Sequence, residues 1–576
     1  MVMDSEKLEN VLNMSLSVGE NERMQSEILR VGYNPEGNRW EIIVKYNGDL
    51  KQYENEAIRI EILINGYAIV SLPEETMEEF ATLPEVEYIE KPKAFYAGAY
   101  RAKEASCILS LTSGRSSLLE GEAPLRGNGV LIAIIDSGID FYRTDFQNES
   151  GSRILYLWDQ SLDMEFTKED LDTALAAGSR EVALELIPHR DITGHGTAVA
   201  GIAAGSAEAL LYQGVAPEAD LIVVKMKAAD SNGFPGTVEL MRGVTYAIRK
   251  ALALGRPLVI NLSFGNSYGS HDGSSLIERF LDNAGEINKT VICVGSGNEG
   301  NADGHVSGNF LNRSNVEFTI GEYERNTNIQ LWKHYADSIA LRMITPDGIG
   351  YDVSLDTPGL QTIDTAFAKM LVFVGSSLPY SVNQEIFFVL LPKENYLISG
   401  IWQLQMLPKR IVNGSYHMYL PGRVARSAQT RFPESNPDVT LTIPSTAKKV
   451  ITVGAYDIKQ QAYADFSGRG YPGLRTDDII YLEQKPNIVA PGVDITAPAG
   501  AQGYEAVTGT SFATPVVSGS CALLLEWGIV RGNDPYLYGE KVKAYLQKGA
   551  GQMNGYQVWP NEYVGWGKLC AEASLP

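Results

Sequence analysis

Four cysteines are all that the 576-residue chain contains, and no two stand at a metal-ligand spacing. Cys107, Cys293, Cys521 and Cys570 are scattered, so neither a zinc site nor a disulfide framework is expected. Cys293 lies in an apolar strand-like run and Cys521 in an apolar helix-like run, and both read as buried thiols. That usage suits a chain made or working in a reducing compartment. Basic excess is lacking too: 48 Lys and Arg face 70 Asp and Glu, for a net charge of -22. Nucleic acid and anionic membrane surfaces, which call for basic patches, are therefore not expected partners. No run approaches the roughly 20 apolar residues of a bilayer-crossing helix, so no membrane span is expected. Residues 1–20 lack a basic segment followed by an apolar core, and synthesis in the cytoplasm without a secretory signal is expected. Repeats and long low-complexity tracts are absent.

What is present is ordinary globular composition, 44% hydrophobic and 20% charged. The length exceeds what one core serves, so two or three domains are expected. Three stretches carry chemistry. In Val507-Thr508-Gly509-Thr510-Ser511-Phe512-Ala513-Thr514-Pro515 a glycine turn feeds an apolar helix, with Ser511 in its first turn. The positive end of that helix favours negative charge developing nearby; alone, Ser511 reads equally as an N-cap. Val130 to Ile135 is a continuous apolar run ending in Asp136-Ser137-Gly138. It reads as a buried parallel strand that delivers Asp136 to the carboxyl edge of a sheet, or as a strand end where the aspartate caps a turn. His195 stands between Gly194 and Gly196 at the start of a small-residue helix. Glycine on both sides gives room to face a substrate, the alternative being a core histidine.

Together the Asp136, His195 and Ser511 stretches resemble the three signature blocks of the subtilisin-like serine proteases, in that family's order. The resemblance implies Ser511 as nucleophile, His195 as base and then acid, and Asp136 as the group orienting the imidazole. Gly295-Ser296-Gly297-Asn298-Glu299-Gly300 resembles the family's oxyanion-hole block, with Asn298 and the Ser511 N–H as donors; by itself it is a glycine-rich turn. Ser263-Phe264-Gly265 resembles the edge that pairs with an extended peptide. Gly297 and Glu299 are expected along the substrate cleft, Glu299 favouring Lys or a polar residue before the scissile bond or else lying solvated. Asp140 supports the Asp136 loop, and Arg143 departs from the histidine many relatives carry there. No cofactor or metal is implied by any cluster; acid-rich stretches such as 159–172 read as solvated loops.

The fold class is expected to be α/β: a doubly wound, parallel-sheet, subtilisin-like core with a small α+β N-terminal prodomain and an inserted all-β, jelly-roll-like domain. After a tail over 1–20, residues 21–100 form the prodomain, a folding aid and inhibitor that stays bound to the core, or a structural domain that is never cut. The core follows over 101–309, the β insertion over 310–435, and the core resumes over 436–576. Self-cleavage is expected between Tyr96 and Lys103, after Tyr100. This layout, with Asn261 to Gly265 and Gly269 to Ser275, resembles the Csp germination proteases of spore-forming bacteria. That implies packaging in the spore and a protein substrate, the zymogen of a spore-cortex hydrolase. Two alternatives remain: a non-catalytic germinant-sensing pseudoprotease, and a general intracellular subtilase.

Overall fold

The structure is a computed structural model that describes residues 7–17, 23, 32–63, 66–91, 98–119, 121–227, 235–287, 289–356, 358–376, 381–473 and 483–576. It divides into two compact units, residues 1–96 and 97–576.

The first unit is built on an antiparallel sheet centred on the strand Arg39–Tyr46. That strand pairs with Tyr67–Pro73 on one side and Val86–Glu90 on the other, and Arg59–Ile62 extends the sheet. Alternation along Arg39–Tyr46 sends Trp40, Ile42 and Val44 to one face. There they meet Leu12 of helix Asn10–Ser17 and Met77 and Phe80 of helix Met77–Thr82. The hairpin before Tyr67 keeps Gly66 at φ +71°, in the left-handed region that glycine adopts freely.

In the second unit a nine-stranded sheet forms the centre. Six strands run parallel in the order Ile154–Asp159, Asp220–Lys225, Leu131–Asp136, Leu258–Leu262, Thr290–Gly295, Ile451–Asp457. Ile488–Pro491 adds a seventh, and Met164–Thr167 and Ala462–Tyr463 pair antiparallel at the edges. The strand Leu131–Asp136 explains its all-apolar sequence, because both its faces are covered. Ile132 and Ile134 pack into the layer that holds helices His195–Ala204 and Thr510–Leu525. Leu131, Ala133 and Ile135 pack into the opposite layer, with helices Thr237–Leu254 and Leu276–Ala284. The stretch Thr510–Val530 is as long and apolar as a membrane-crossing helix, but here it is buried in the core.

Between Thr290–Gly295 and Ile451–Asp457 the chain forms two antiparallel sheets around one apolar core that includes Phe318, Phe388, Trp402 and Met418. One has six strands, from His305–Asn309 through Ser415–Tyr419, Thr327–His334, Asn383–Pro392 and Ala368–Val374 to Gly359–Asp364. The other orders Asn315–Ile320, Gly400–Arg410, Ser338–Ile344 and Gly350–Val353. Strand His305–Asn309, assigned to the core from sequence, belongs to the larger of these sheets.

Two expectations need correction. Cys107 and Cys570 form a disulfide across 463 residues, which no local spacing announces. The other two cysteines are buried thiols, their sulfurs 3.8 Å apart. The acid-rich stretch 159–172 is not a solvated loop: it holds strand Met164–Thr167 and the start of helix Lys168–Leu175. Asp159 itself is fully buried, where it accepts from His189 Nδ1 at 2.7 Å.

Candidate active site

Parallel strands deliver their carboxyl ends to one edge of the sheet, and the candidate residues collect there. Asp136 is the last residue of its strand. Its Oδ1 accepts from the Ser137 N–H and from His195 Nδ1, both at 2.7 Å. His195 opens the helix His195–Ala204. Burial works against a charged ring, but the charge and hydrogen bond of Asp136 and the charge of Asp191 outweigh it, so the imidazole pKa is raised.

The glycines beside His195 do a different job from the one expected. Gly194 takes φ +74° as the residue before the helix, a left-handed conformation. A Cβ on Gly196 would collide with the Gly138 carbonyl, so glycine lets this helix start press against the loop after Asp136. Asp191 fastens the arrangement: its carboxylate accepts from the Gly194 N–H (3.0 Å), the Thr197 N–H (2.8 Å) and the hydroxyls of Ser137 (2.8 Å) and Thr197 (2.7 Å). Sequence reasoning assigned Asp191 no role, although an aspartate shortly before a helix is a capping signal. Asp140 pairs with Arg180 at 2.6 Å, and Arg143 is buried against Asp145 while donating to the carbonyls of Ala499, Gly500 and Gly503.

Ser511 sits at the second position of helix Thr510–Leu525. No acceptor meets its N–H among the described residues, as helix geometry dictates for a first turn. Pro515, four residues on, has no N–H to give the Ser511 carbonyl. That carbonyl accepts instead from Ser263 Oγ at 3.0 Å, and Ser511 Oγ donates to the Ser263 carbonyl at 3.1 Å. Asn298 is oriented by Thr510: its Oδ1 accepts from the Thr510 N–H (3.0 Å) and hydroxyl (3.1 Å). With Oδ1 so occupied, Nδ2 remains the donor of the amide.

These groups line a cleft of about 500 Å³ that also takes in Ser263, Phe264, Gly265, Gly297, Glu299 and Thr442. The His195 ring lies between Phe264 and Phe512, at centroid distances of 5.5 and 5.4 Å. Arg423 and Val424 reach the cleft from the segment that follows the last inserted strand, a contribution with no signal in the sequence. Glu299 does lie in the cleft, but its carboxylate is engaged by the Arg423 N–H at 3.3 and 3.2 Å. Burial raises its pKa against the opposing pull of that bond and of Arg426 and Arg423. A second cavity of about 680 Å³ adjoins along Phe264 and Gly265, with Tyr268, Asn328 and Val424 in its wall. Tyr100 falls in helix Gly98–Ala105, and residues 96 and 97 of the expected cleavage region lie outside the described residues.

Comparison with known proteins bears on the family and the fold. The subtilase family model matches residues 127–360 and 414–567, and the Csp protease B prodomain model matches residues 6–93. The solved structure of the Clostridium perfringens CspB protease is 32% identical, covers 83% of this chain and 97% of its own, and superimposes with a TM-score of 0.75. Minor extracellular protease Vpr of Bacillus subtilis is 23% identical over 454 residues, which is 77% of this chain and 50% of Vpr. Serine protease AprX of Bacillus subtilis is 34% identical over 168 residues, 25% of this chain and 33% of AprX. The chain thus spans half the length of one of these curated relatives and a third of the other. From residue 127 to 567 the family match is interrupted only within the β insertion, and the chain belongs to the subtilase family of serine endopeptidases, with a Csp protease B prodomain ahead of its core.

Proposed function

We propose that the protein is a serine endopeptidase that works through Asp136, His195 and Ser511. The observation that carries this reading is the Asp136–His195 hydrogen bond of 2.7 Å in the cleft that also holds the Ser511 hydroxyl at a helix start. With Nδ1 donating to Asp136, the His195 Nε2 is the basic nitrogen turned to the reaction. It takes the Ser511 proton as the oxygen attacks the scissile carbonyl, then gives that proton to the leaving amine. Asp136 keeps the tautomer and stabilises the imidazolium. Oxygen charge in the tetrahedral intermediate is met by Asn298 Nδ2 and the Ser511 N–H, both fixed before substrate arrives. The Ser511 hydroxyl leaves the Ser263 carbonyl for His195 when substrate binds, since catalytic hydrogen bonds often tighten only in the complex.

Extended substrate pairs with the edge Ser263-Phe264-Gly265, and residues near the β insertion, which we take as a jelly-roll sandwich, widen the surface it meets. The first substrate is the chain itself, cut between the prodomain and the core. The physiological one is a spore-cortex hydrolase zymogen, activated by limited proteolysis during germination in the spore. The matches to the Csp protease B prodomain and to the CspB protease support this choice. Intact mass of the wild type beside Ser511→Ala tests the mechanism. Cleavage between residues 96 and 103 in the wild type alone is expected; two uncut full-length chains would overturn the reading.

A further inference from the structure

The six-stranded inserted sheet has one covered face and one divided face. Alternation points Ile329, Leu331, Ile386, Phe388, Met370 and Val372 into the apolar core of the insertion. Their neighbours in sequence face the other way. At one end this outer face packs on the catalytic core. Gln330 there accepts from the Gly269 N–H at 2.9 Å and donates to the Ser267 carbonyl at 3.1 Å, and Tyr419 stacks on His271. Beyond strand Thr327–His334 the outer face opens to solvent, with Phe373 51% and Leu360 63% exposed. Strand Gly359–Asp364 ends the order, and no strand pairs with its far side among the described residues. Two cross-strand rows run out along the open half. In one, Gln330, Phe387, Phe373 and Leu360 stand opposite one another in turn. In the other, Asn328, Val389, Leu371 and Thr362 do the same. Strands step by about 4.8 Å, so Leu371 lies about 10 Å from Asn328.

Contiguous exposed apolar side chains mark protein-binding surfaces, and position says which protein this one meets. Asn328 donates to the Tyr268 hydroxyl at 3.1 Å, and both line the cavity of about 680 Å³. That cavity shares Phe264, Gly265, Glu299 and Val424 with the cleft that holds Ser511. The surface therefore runs without a break from Ser511, through the cavity, to the open rows. A protein engaged at the cleft is the one that reaches them. Glu385 stands at the inner end, opposite Trp332 and two residues from Phe387 on the same face. Its carboxyl has no hydrogen bond or ion pair among the described residues, and burial raises its pKa to about 6. A nearby cation would relieve that burial. An open face three strands across is flat rather than grooved, which suits a folded partner.

We propose that the open half of this sheet is a second docking surface for the protein substrate: Leu360, Leu371, Phe373 and Phe387 take an apolar patch on the substrate's folded surface, and Glu385 takes a Lys or Arg beside it. This rests on the endopeptidase reading above. Binding at two linked places lowers KM with no new contact at the scissile bond. A short peptide meets the cleft alone and gains nothing from the sheet.

The test compares two substrates on the same enzyme samples: the purified cortex-hydrolase zymogen, and a short peptide spanning its activation cut. Leu360→Ser combined with Phe373→Ser should raise KM for the zymogen about tenfold or more, the order of losing interface anchors. The zymogen kcat and both peptide constants should stay unchanged. Glu385→Gln should raise the zymogen KM several-fold and likewise spare the peptide. Peptide cleavage controls for folding, since these three residues lie outside the cleft. Equal effects on zymogen and peptide, or no effect on either, overturn the proposal, and a zymogen KM unmoved by Glu385→Gln alone overturns the part given to that residue. A wild-type dimer in sedimentation that the double variant converts to monomer also overturns it, since the face would then belong to a second copy. A serine-directed fluorophosphonate separates this inference from the reading beneath it. Wild type that reacts and cuts both substrates, with zymogen kinetics untouched by the variants, refutes the docking surface alone. Wild type that reacts but leaves the zymogen uncut refutes the substrate and its docking together. Wild type that neither reacts nor cuts refutes the endopeptidase reading as well.

Discussion

Ser263 and Ser511 hold each other through two hydrogen bonds: each hydroxyl donates to the other's carbonyl, at 3.0 and 3.1 Å. The first bond exists because Pro515 cannot donate to the Ser511 carbonyl within the helix. A strand-edge residue has thereby replaced a helical N–H, and the helix start is tied to the peptide-binding edge. Ser263→Ala leaves that carbonyl without its donor. A loss of about 1 kcal/mol in stability is expected, together with a several-fold fall in kcat as Ser511 loses its tie to the edge. Urea unfolding and peptide kinetics on the same variant read the two effects. Full kcat at reduced stability would show the tie to be structural only.

Asn298 shows the difference between a donor that is present and one that is aimed. Thr510 uses both its N–H and its hydroxyl on Asn298 Oδ1, which turns Nδ2 away from Thr510. Asn298→Leu should lower kcat about 10²–10³-fold with KM little changed, the loss known from a subtilisin deprived of its oxyanion donor. Thr510→Val removes only the orienting hydroxyl, so a smaller loss of the same kind is expected. If Asn298→Leu raised KM and spared kcat, Asn298 would be a ground-state contact.

Much of this site was legible before any coordinates, for reasons that differ from residue to residue. Asp136 was readable because a strand covered on both faces has to be apolar throughout, and Leu131 to Ile135 are. Helix Thr237–Leu254 carries its signal in apolar spacing, with Leu240, Val244, Ala247, Ile248 and Ala251 buried along one side. Strand Gly359–Asp364 was not readable, since it alternates between half-buried and exposed and has no buried face to leave a pattern. Gly194 and Gly196 were noticed for the wrong reason, because the Gly138 carbonyl that excludes a side chain at Gly196 comes from a distant stretch. The Cys107–Cys570 bridge is likewise a long-range fact. Local pattern finds elements and their ends; which ends meet is decided by topology.

The raised pKa of His195 sets an acid limit on activity. A general base works only when deprotonated, so kcat/KM should fall on the acid side about an apparent pKa above the usual 6.5. Asp136→Asn removes the charge that holds the proton on the ring. The acid limb should then move to lower pH, and kcat should drop about 10⁴-fold as the wrong tautomer is populated. A pH–rate profile of both enzymes checks this. An acid limb that stays in place would mean that another group sets it.

A different histidine pair governs stability. His305 Nδ1 donates to the Asn436 carbonyl at 2.9 Å, so its Nε2 accepts from His417 Nδ1 at 3.0 Å. The pair stacks with Tyr419, which in turn stacks on His271. Burial and the neighbouring histidines press both pKa values down, His417 to about 4 and His305 well below its usual value. Unfolded, both rings take protons as pH falls through 6.5; folded, they stay neutral until lower pH. Stability from this pair is therefore complete above pH 6.5 and is lost as pH falls toward 4, by up to about 3 kcal/mol for His417. Because His305 and His417 lie on adjacent inserted strands while Asn436 and His271 lie outside them, the loss should begin where the insertion meets the core. Urea midpoints at pH 7, 6 and 5 should fall steadily in the wild type, and the slope should flatten in His417→Gln. Equal slopes in the two proteins would place the acid sensitivity elsewhere.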